Sequence, residues 1–185
     1  LSSTLCGPAA AQPAYPSRPI RVVVPYAPGG ATDIMARTVA QRLGEILGQT
    51  VIIENKPGAN TAIGAEQVAK SPADGYTLLV ATTSSHTMGP QTMKKPMFDS
   101  IKDFKPVSLI AWAPNVLVVH PKVQADSVAK LIALAKKEPG KLNYSSSGNG
   151  SSIHVAGSLF ETMAGVQMKH VPYKGAGPAL ADLLG

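Results

Sequence analysis

Val24-Pro25-Tyr26-Ala27-Pro28-Gly29-Gly30-Ala31-Thr32-Asp33 decides how this chain is read. It follows the apolar run Ile20 to Val24 and precedes a stretch of helical periodicity, so a strand passes through a Pro- and Gly-rich turn into a helix. A helix entered in this way leaves its first backbone N–H groups without intrahelical partners, and its dipole favours negative charge there. Two readings stay open at this point. One is an anion-holding loop; the other is an ordinary strand-to-helix turn capped by Thr32 or Asp33.

Outward from that turn the pattern alternates. Asp33 to Leu47 reads as a helix with Met35, Val39, Leu43 and Ile46 on one face, ending at Gly48. Val51 to Glu54 reads as a strand, Pro57-Gly58-Ala59-Asn60 as a turn, Thr61 to Lys70 as a helix, and Tyr76 to Ala81 as a third strand. Strands alternating with helices predict a doubly wound α/β sheet. Ser84 to Pro106 is an irregular connection, after which Val107–Ala111 and Val116–His120 read as strands and Ser127 caps a helix over Val128–Lys137. Leu142–Ser145 and Met168–Val171 are further strands, with the helix Ile153–Ala164 between them. Val24-Pro25-Tyr26 recurs as Val171-Pro172-Tyr173, each after a strand and before a Gly-containing turn, which suggests two lobes whose loops face each other.

Composition bounds the function. The 185 residues are 44% hydrophobic, and no apolar run approaches the roughly 18 residues needed to cross a bilayer. The net charge is +6, yet aromatics are only 5% and the basic residues are scattered, which points to small anionic ligands and away from nucleic acid. Leu1 to Leu5 followed by Ala9-x-Ala11 resembles the end of a signal peptide, so residues 1–11 are expected to be a leader remnant on an exported protein. Cys6 is the only cysteine; lipidation there is disfavoured by Leu5, and removal of the leader leaves neither a disulfide nor a thiol nucleophile.

Ser145-Ser146-Ser147-Gly148-Asn149-Gly150-Ser151-Ser152 offers hydroxyls and backbone donors at a helix start, which suits a carboxylate or phosphate; a solvated turn with a Ser cap is the plain alternative. It is no dinucleotide fingerprint, since Ile stands at position 153. Gly150-Ser151-Ser152-Ile153-His154 approaches a nucleophile elbow but lacks its second Gly, and Ser127-Val128-Ala129-Lys130 is better explained as a helix cap. His86, His120, His154 and His170 have no metal-ligand spacing, and no metal or cofactor is expected.

Taken in order, Pro19 to Asp33, Val51 to Gly64, Asp74-Gly75-Tyr76, Lys102 to Val107, Pro139 to Tyr144, Gly148-x-Gly150-Ser151-Ser152-x-His154 and His170 to Gly175 resemble the substrate-binding receptors of the tripartite tricarboxylate transporters, the Bug family. The resemblance implies a type II periplasmic-binding-protein (Venus flytrap) fold of two doubly wound α/β lobes, over 12–105 and 106–185, with the second lobe incomplete in this chain. It implies a periplasmic receptor, a monomer at full length, that captures a small organic carboxylate and delivers it to transporter membrane subunits. The implied ligand contacts are Tyr26, Pro28, Gly29, Gly30, Thr32, Asp33, Ser84, Ser85 and His86 on one side. On the other they are Ser147, Gly148, Gly150, Ser151, Ser152 and His154, with Tyr173 near the hinge. Asp33 leans towards ligands carrying an amine or hydroxyl. The alternatives are an exported hydrolase-like α/β enzyme and a ligand sensor on the same fold.

Overall fold

In the computed structural model the described residues are 14–185, and the expected leader remnant, with Cys6, lies outside them. Five elements build the first half: β1 (Ile20–Val24), α1 (Ala31–Leu47), β2 (Val51–Asn55), α2 (Ala62–Ala69) and β3 (Thr77–Leu79). The strands are all parallel in the order β2-β1-β3, with Val22 level with Ile53 on one side and Leu78 on the other. Central position explains the unbroken Ile-Arg-Val-Val-Val run, because a middle strand of a parallel sheet is covered on both faces. Alternate residues Ile20, Val22 and Val24 join Tyr26, Ala36 and Val80 in one core cluster. Ala62, Ala65 and Phe98 form a second, with Leu79 and Phe104 against it.

The buried face of α1 differs from the expected one. Asp33, Ala36 and Ala40 face inward, whereas Val39 and Ile46 are 39% and 67% exposed. Small side chains won over large ones because they let the helix lie close to the sheet. A Cβ on Gly44, one turn beyond Ala40, would stand 3.1 Å from the Gln49 carbonyl. The same economy recurs at Gly64, where a Cβ would be 3.0 Å from Pro25. α1 also starts two residues earlier than expected, with Gly30 as a cap that supplies no side-chain bond, and closes through left-handed Gly48 (φ 62°).

A wide π-type turn over Ser84–Met88 and the short α3 (Gly89–Thr92) lead out of the first sheet. Beyond them come α4 (Val128–Lys137), β4 (Asn143–Ser146), α5 (Ser152–Ala164), β5 (Lys169–Pro172) and α6 (Ala176–Leu184). β4 and β5 pair in parallel, Tyr144 level with His170. Ser127 and Ser151 cap their helices as Ser residues do, each accepting from the backbone N–H three positions on.

The expected strands Val107–Ala111 and Val116–His120 are not formed. Among the described residues nothing pairs with them, and Val107 and Trp112 are 86% and 83% exposed. Apolar patterning fits a segment to a sheet, but only a neighbouring strand can satisfy its backbone groups. No helix among the described residues is long and apolar enough to cross a membrane.

An exposed apolar ribbon of this kind is a template for association. The 185-residue chain is expected to elute in size-exclusion chromatography with a mass above its 19.1 kDa monomer. Replacing Leu109, Trp112 and Leu117 with Lys shifts it back towards monomer. A monodisperse monomer without those changes contradicts this account.

Candidate functional site

The two echoing turns meet. Pro25 and Tyr26 leave β1, Pro172 and Tyr173 leave β5, and all four line one cavity of about 320 Å³. Its floor on the first-sheet side is Gly58 to Thr61, and on the other side Ser147 to Asn149 with Lys174. The Ala27 N–H donates to the Lys174 carbonyl at 2.9 Å and holds the turns together. Beside it, a Cβ on Gly177 would fall 2.7 Å from the Pro28 carbonyl, so only glycine permits α6 to approach the first loop this closely. A more open depression of about 480 Å³, at Pro90 and Pro96 to Ser100, lies on the connecting segment and touches neither Gly-rich loop.

Several of the backbone donors that the sequence offered to an anion already have partners. The Gly29 N–H donates to Asp33 Oδ2 at 3.0 Å. In the second loop Gly148 donates to Ser146 Oγ (3.1 Å), Gly150 to His154 Nδ1 (2.9 Å), Ser151 to the Gly148 carbonyl (3.2 Å) and Ser152 to Ser84 Oγ (3.0 Å). The last bond ties the π-type turn to the start of α5.

Asp33 is 3% exposed and accepts from Gly29 N–H, from Arg37 Nε (3.0 Å) and from Asn55 Nδ2 (2.8 Å). Burial alone raises its pKa, but these hydrogen bonds and the Arg37 charge outweigh burial and hold the carboxyl below its usual range. Asn55 also donates to the Tyr26 carbonyl at 3.1 Å, so the buried carboxylate fixes the first loop rather than facing the cavity. Tyr26 donates or accepts at Thr82 Oγ1 (2.6 Å), and burial raises its phenol.

Of the other expected contacts, Tyr26, Ser147, Gly148 and Tyr173 line the cavity. Pro28, Gly29 and Gly30 pack on the start of α6, and Thr32 sits in the first turn of α1. Ser84 and Ser85 are buried; Ser85 braces its own turn through Thr82. His86 turns away, its ring 4.6 Å from Phe104 and 5.8 Å from Phe98, and burial lowers its pKa. Gly150, Ser151, Ser152 and His154 shape the second loop from behind. Among the described residues two serine hydroxyls meet an imidazole, Ser146 with His170 (2.6 Å) and Ser85 with His86 (2.9 Å), but both serines are 1% exposed and hydrogen-bonded within their own turns. Neither hydroxyl is placed to attack a substrate. No cluster of three metal-ligating side chains occurs among the described residues.

The second loop rests on two stacked imidazoles. His154 and His170 lie 3.9 Å apart and 13° from parallel. His154 accepts from Gly150 at Nδ1, so its proton sits on Nε2. Ser146 donates to the Gly148 carbonyl, which makes His170 the donor to Ser146 from Nε2. Burial and then the neighbouring His154 lower the His170 pKa, against a smaller opposing pull from Glu161.

Sequence reasoning passed over Asn60. It treated Pro57-Gly58-Ala59-Asn60 as a turn, but Ala59, Asn60 and Thr61 all have left-handed backbones (φ 45°, 50° and 74°). Such a run in residues other than Gly is strained, least so at Asn, and the surrounding packing must hold it. The signal was present in an Asn directly after Gly-Ala at a helix start. Pro25, Pro172 and Lys174 were likewise quoted only as parts of motifs.

Comparison with known proteins places this geometry in context. Residues 35–185 match the family model described as "Tripartite tricarboxylate transporter family receptor". Protein BugT of Bordetella pertussis is 43% identical over 172 residues, 92% of this chain and 53% of that protein. A solved periplasmic transporter is 46% identical, with a TM-score of 0.86 over 92% of this chain and 57% of its own. A Rhodopseudomonas palustris protein solved with adipate is 43% identical, with a TM-score of 0.89 over 91% of this chain and 56% of its own. The chain thus spans about half the length of these relatives. At these TM-scores it shares the α/β architecture of periplasmic binding proteins of this type.

Two outcomes follow from the site's supports. Asp33→Asn in the natural protein is expected to cost about 1–3 kcal/mol of stability, as for a buried hydrogen-bonded charge, while leaving the order of ligand affinities unchanged; a changed order contradicts it. His170 has a depressed folded-state pKa, so its stabilising contribution is fully present above the ordinary value of 6.5 and is lost as pH falls through the folded value. Thermal melts between about pH 8 and about pH 5 should fall more steeply for the wild type than for His170→Gln. Parallel curves contradict the account.

Proposed function

The chain belongs to the receptor family of the tripartite tricarboxylate transporters, and from that premise we propose that it captures a small organic carboxylate in the cavity between Tyr26 and Tyr173. The bound acid is then handed to the membrane subunits of a transporter, the receptor itself working in the periplasm. One observation carries this reading: the cavity has no acidic side chain in its lining, and Lys174 stands at its edge. Ser147, Asn60 and Asn149 are its other polar residues, whereas the hydroxyls of Tyr26, Thr61 and Tyr173 are engaged with Thr82 Oγ1, the Asn60 carbonyl and the Asp182 carboxylate. At about 320 Å³ it is the size of a small-molecule site, large enough for a short-chain acid.

The second-sheet loop and the β5 turn form one wall and the first sheet the other, so ligand capture is a movement of one wall against the other. The ligand acts by binding the closed arrangement better than the open one. A catalytic reading finds no support in the site: the serines nearest to imidazoles are buried, and Ser151 is a helix cap. The family is one of receptors.

Thermal shift and calorimetry of the natural protein against adipate, malate and a panel of other carboxylic acids test the reading. An acid present at about 100 times its Kd adds about 2.7 kcal/mol of stability, visible as a raised melting temperature. Lys174→Glu is expected to weaken that binding about tenfold at low salt, and less at high salt because the side chain is exposed. A protein that no acid in the panel stabilises contradicts the proposal.

A further inference from the structure

We propose that Asn60 is the specificity-determining residue of this cavity, its carboxamide donating from Nδ2 to one carboxylate oxygen of the ligand and accepting at Oδ1 from a hydroxyl or amine on the adjacent carbon. This rests on the receptor reading above and deepens it by naming a ligand class: 2-hydroxy or 2-amino carboxylic acids.

Three independent observations converge on this residue. First, Asn60 lines the cavity, yet neither Oδ1 nor Nδ2 finds a hydrogen-bond partner among the described residues, although both atoms are shielded from solvent. Buried amide groups are nearly always paired, so an amide with both ends free marks a place where a partner arrives from elsewhere. Second, the surroundings are cut to fit it. A Cβ on Gly150 would stand 2.8 Å from Thr92 Oγ1 and 3.0 Å from Asn60 Nδ2, and a Cβ on Gly148 3.4 Å from the Tyr173 carbonyl and 3.5 Å from Asn60 Oδ1. Side chains at either glycine would crowd the carboxamide out of its place. Third, the backbone that presents it is strained over Ala59, Asn60 and Thr61, and such strain persists where the surrounding structure holds it for a purpose.

Several neighbouring groups are already engaged. Asp33, the residue otherwise suited to a ligand hydroxyl or amine, already accepts from Gly29, Arg37 and Asn55. The N–H groups of Gly148, Gly150, Ser151 and Ser152 are committed within the second loop or to Ser84. Asn60 belongs to the first-sheet wall and is covered by the Gly148–Gly150 loop of the opposite wall. A ligand therefore reaches the carboxamide only with that loop displaced from the position it has here. A carboxamide offers one donor face and one acceptor face side by side, which matches a carboxylate flanked by a hydroxyl or amine. An unsubstituted acid leaves Oδ1 buried without a donor, and a site built for a hydroxyl discriminates strongly against the analogue that lacks it.

Isothermal titration of the natural protein with three pairs of acids differing by one hydroxyl provides the test: malate and succinate, 2-hydroxyglutarate and glutarate, lactate and propionate. In whichever pairs bind, the wild type is expected to favour the hydroxylated member at least tenfold. Asn60→Gly should erase that preference, and glycine suits the left-handed backbone at this position, so the variant should fold. Asn60→Asp, which replaces the donor with a negative charge, should abolish binding of both members. Wild-type binding with no preference, or a preference retained in Asn60→Gly, overturns this inference and leaves the receptor reading standing. A wild type that binds none of the six acids, nor any acid of the wider panel, overturns both.

Discussion

Everything described at the cavity depends on one backbone contact, the hydrogen bond from the Ala27 N–H to the Lys174 carbonyl. It joins two turns of the same sequence, Val-Pro-Tyr, each at the carboxyl end of a parallel strand. Open α/β sheets place their ligands at the carboxyl ends of strands, because the loops there are set by the rigid strands behind them. Here two such ends are brought face to face. The approach is possible because Gly30 and Gly177 carry no side chains: a Cβ on either would be 3.3 Å or less from backbone of the other element. With that contact made, the space left between the turns is the cavity.

Electrostatics then divides the labour. The one buried carboxylate next to the site, Asp33, is turned inward and neutralised by Arg37 together with neutral donors, so it presents no negative charge to a ligand. Behind the second loop the His170 ring, stacked 3.9 Å from His154, has its pKa lowered by burial and by that neighbour, and the Gly150 N–H donates to His154 Nδ1. The polar residues that line the cavity include Asn60, Ser147, Asn149 and Lys174, with no Asp or Glu among them. A small anion is the complement of such a lining.

Much of this was legible in the chain. Gly48 after Leu47, Ser127 before Val128 and the Pro/Gly punctuation located α1, α2, α4 and α5 to within two residues, since those signals are local, whereas the π-type turn and α3 lie in the stretch expected to be irregular. The central strand was legible because burial on both faces leaves an unbroken apolar run. The inward face of α1 was not: hydropathy weights Met35, Val39 and Ile46, whereas close approach to the sheet selects Ala36 and Ala40, and distance to a neighbour is not written in a residue's own type. The ribbon Val107–His120 failed for a similar reason, since its strand character needs a partner that the local sequence does not contain. Candidate site residues divided likewise. Tyr26, Ser147, Gly148 and Tyr173, which the family resemblance implied, line the cavity, while His86 is held in an aromatic cluster by Phe98 and Phe104. Asn60 stayed hidden because its significance lies in bonds it does not make.

The most direct measurement is native mass spectrometry of the natural protein, isolated gently and sprayed without added ligand. The account predicts a retained small molecule whose mass identifies a carboxylic acid, bound one to one and lost when the protein is unfolded. A protein that arrives empty, and takes up none of the organic acids then supplied to it, contradicts the claim that this cavity is built for them.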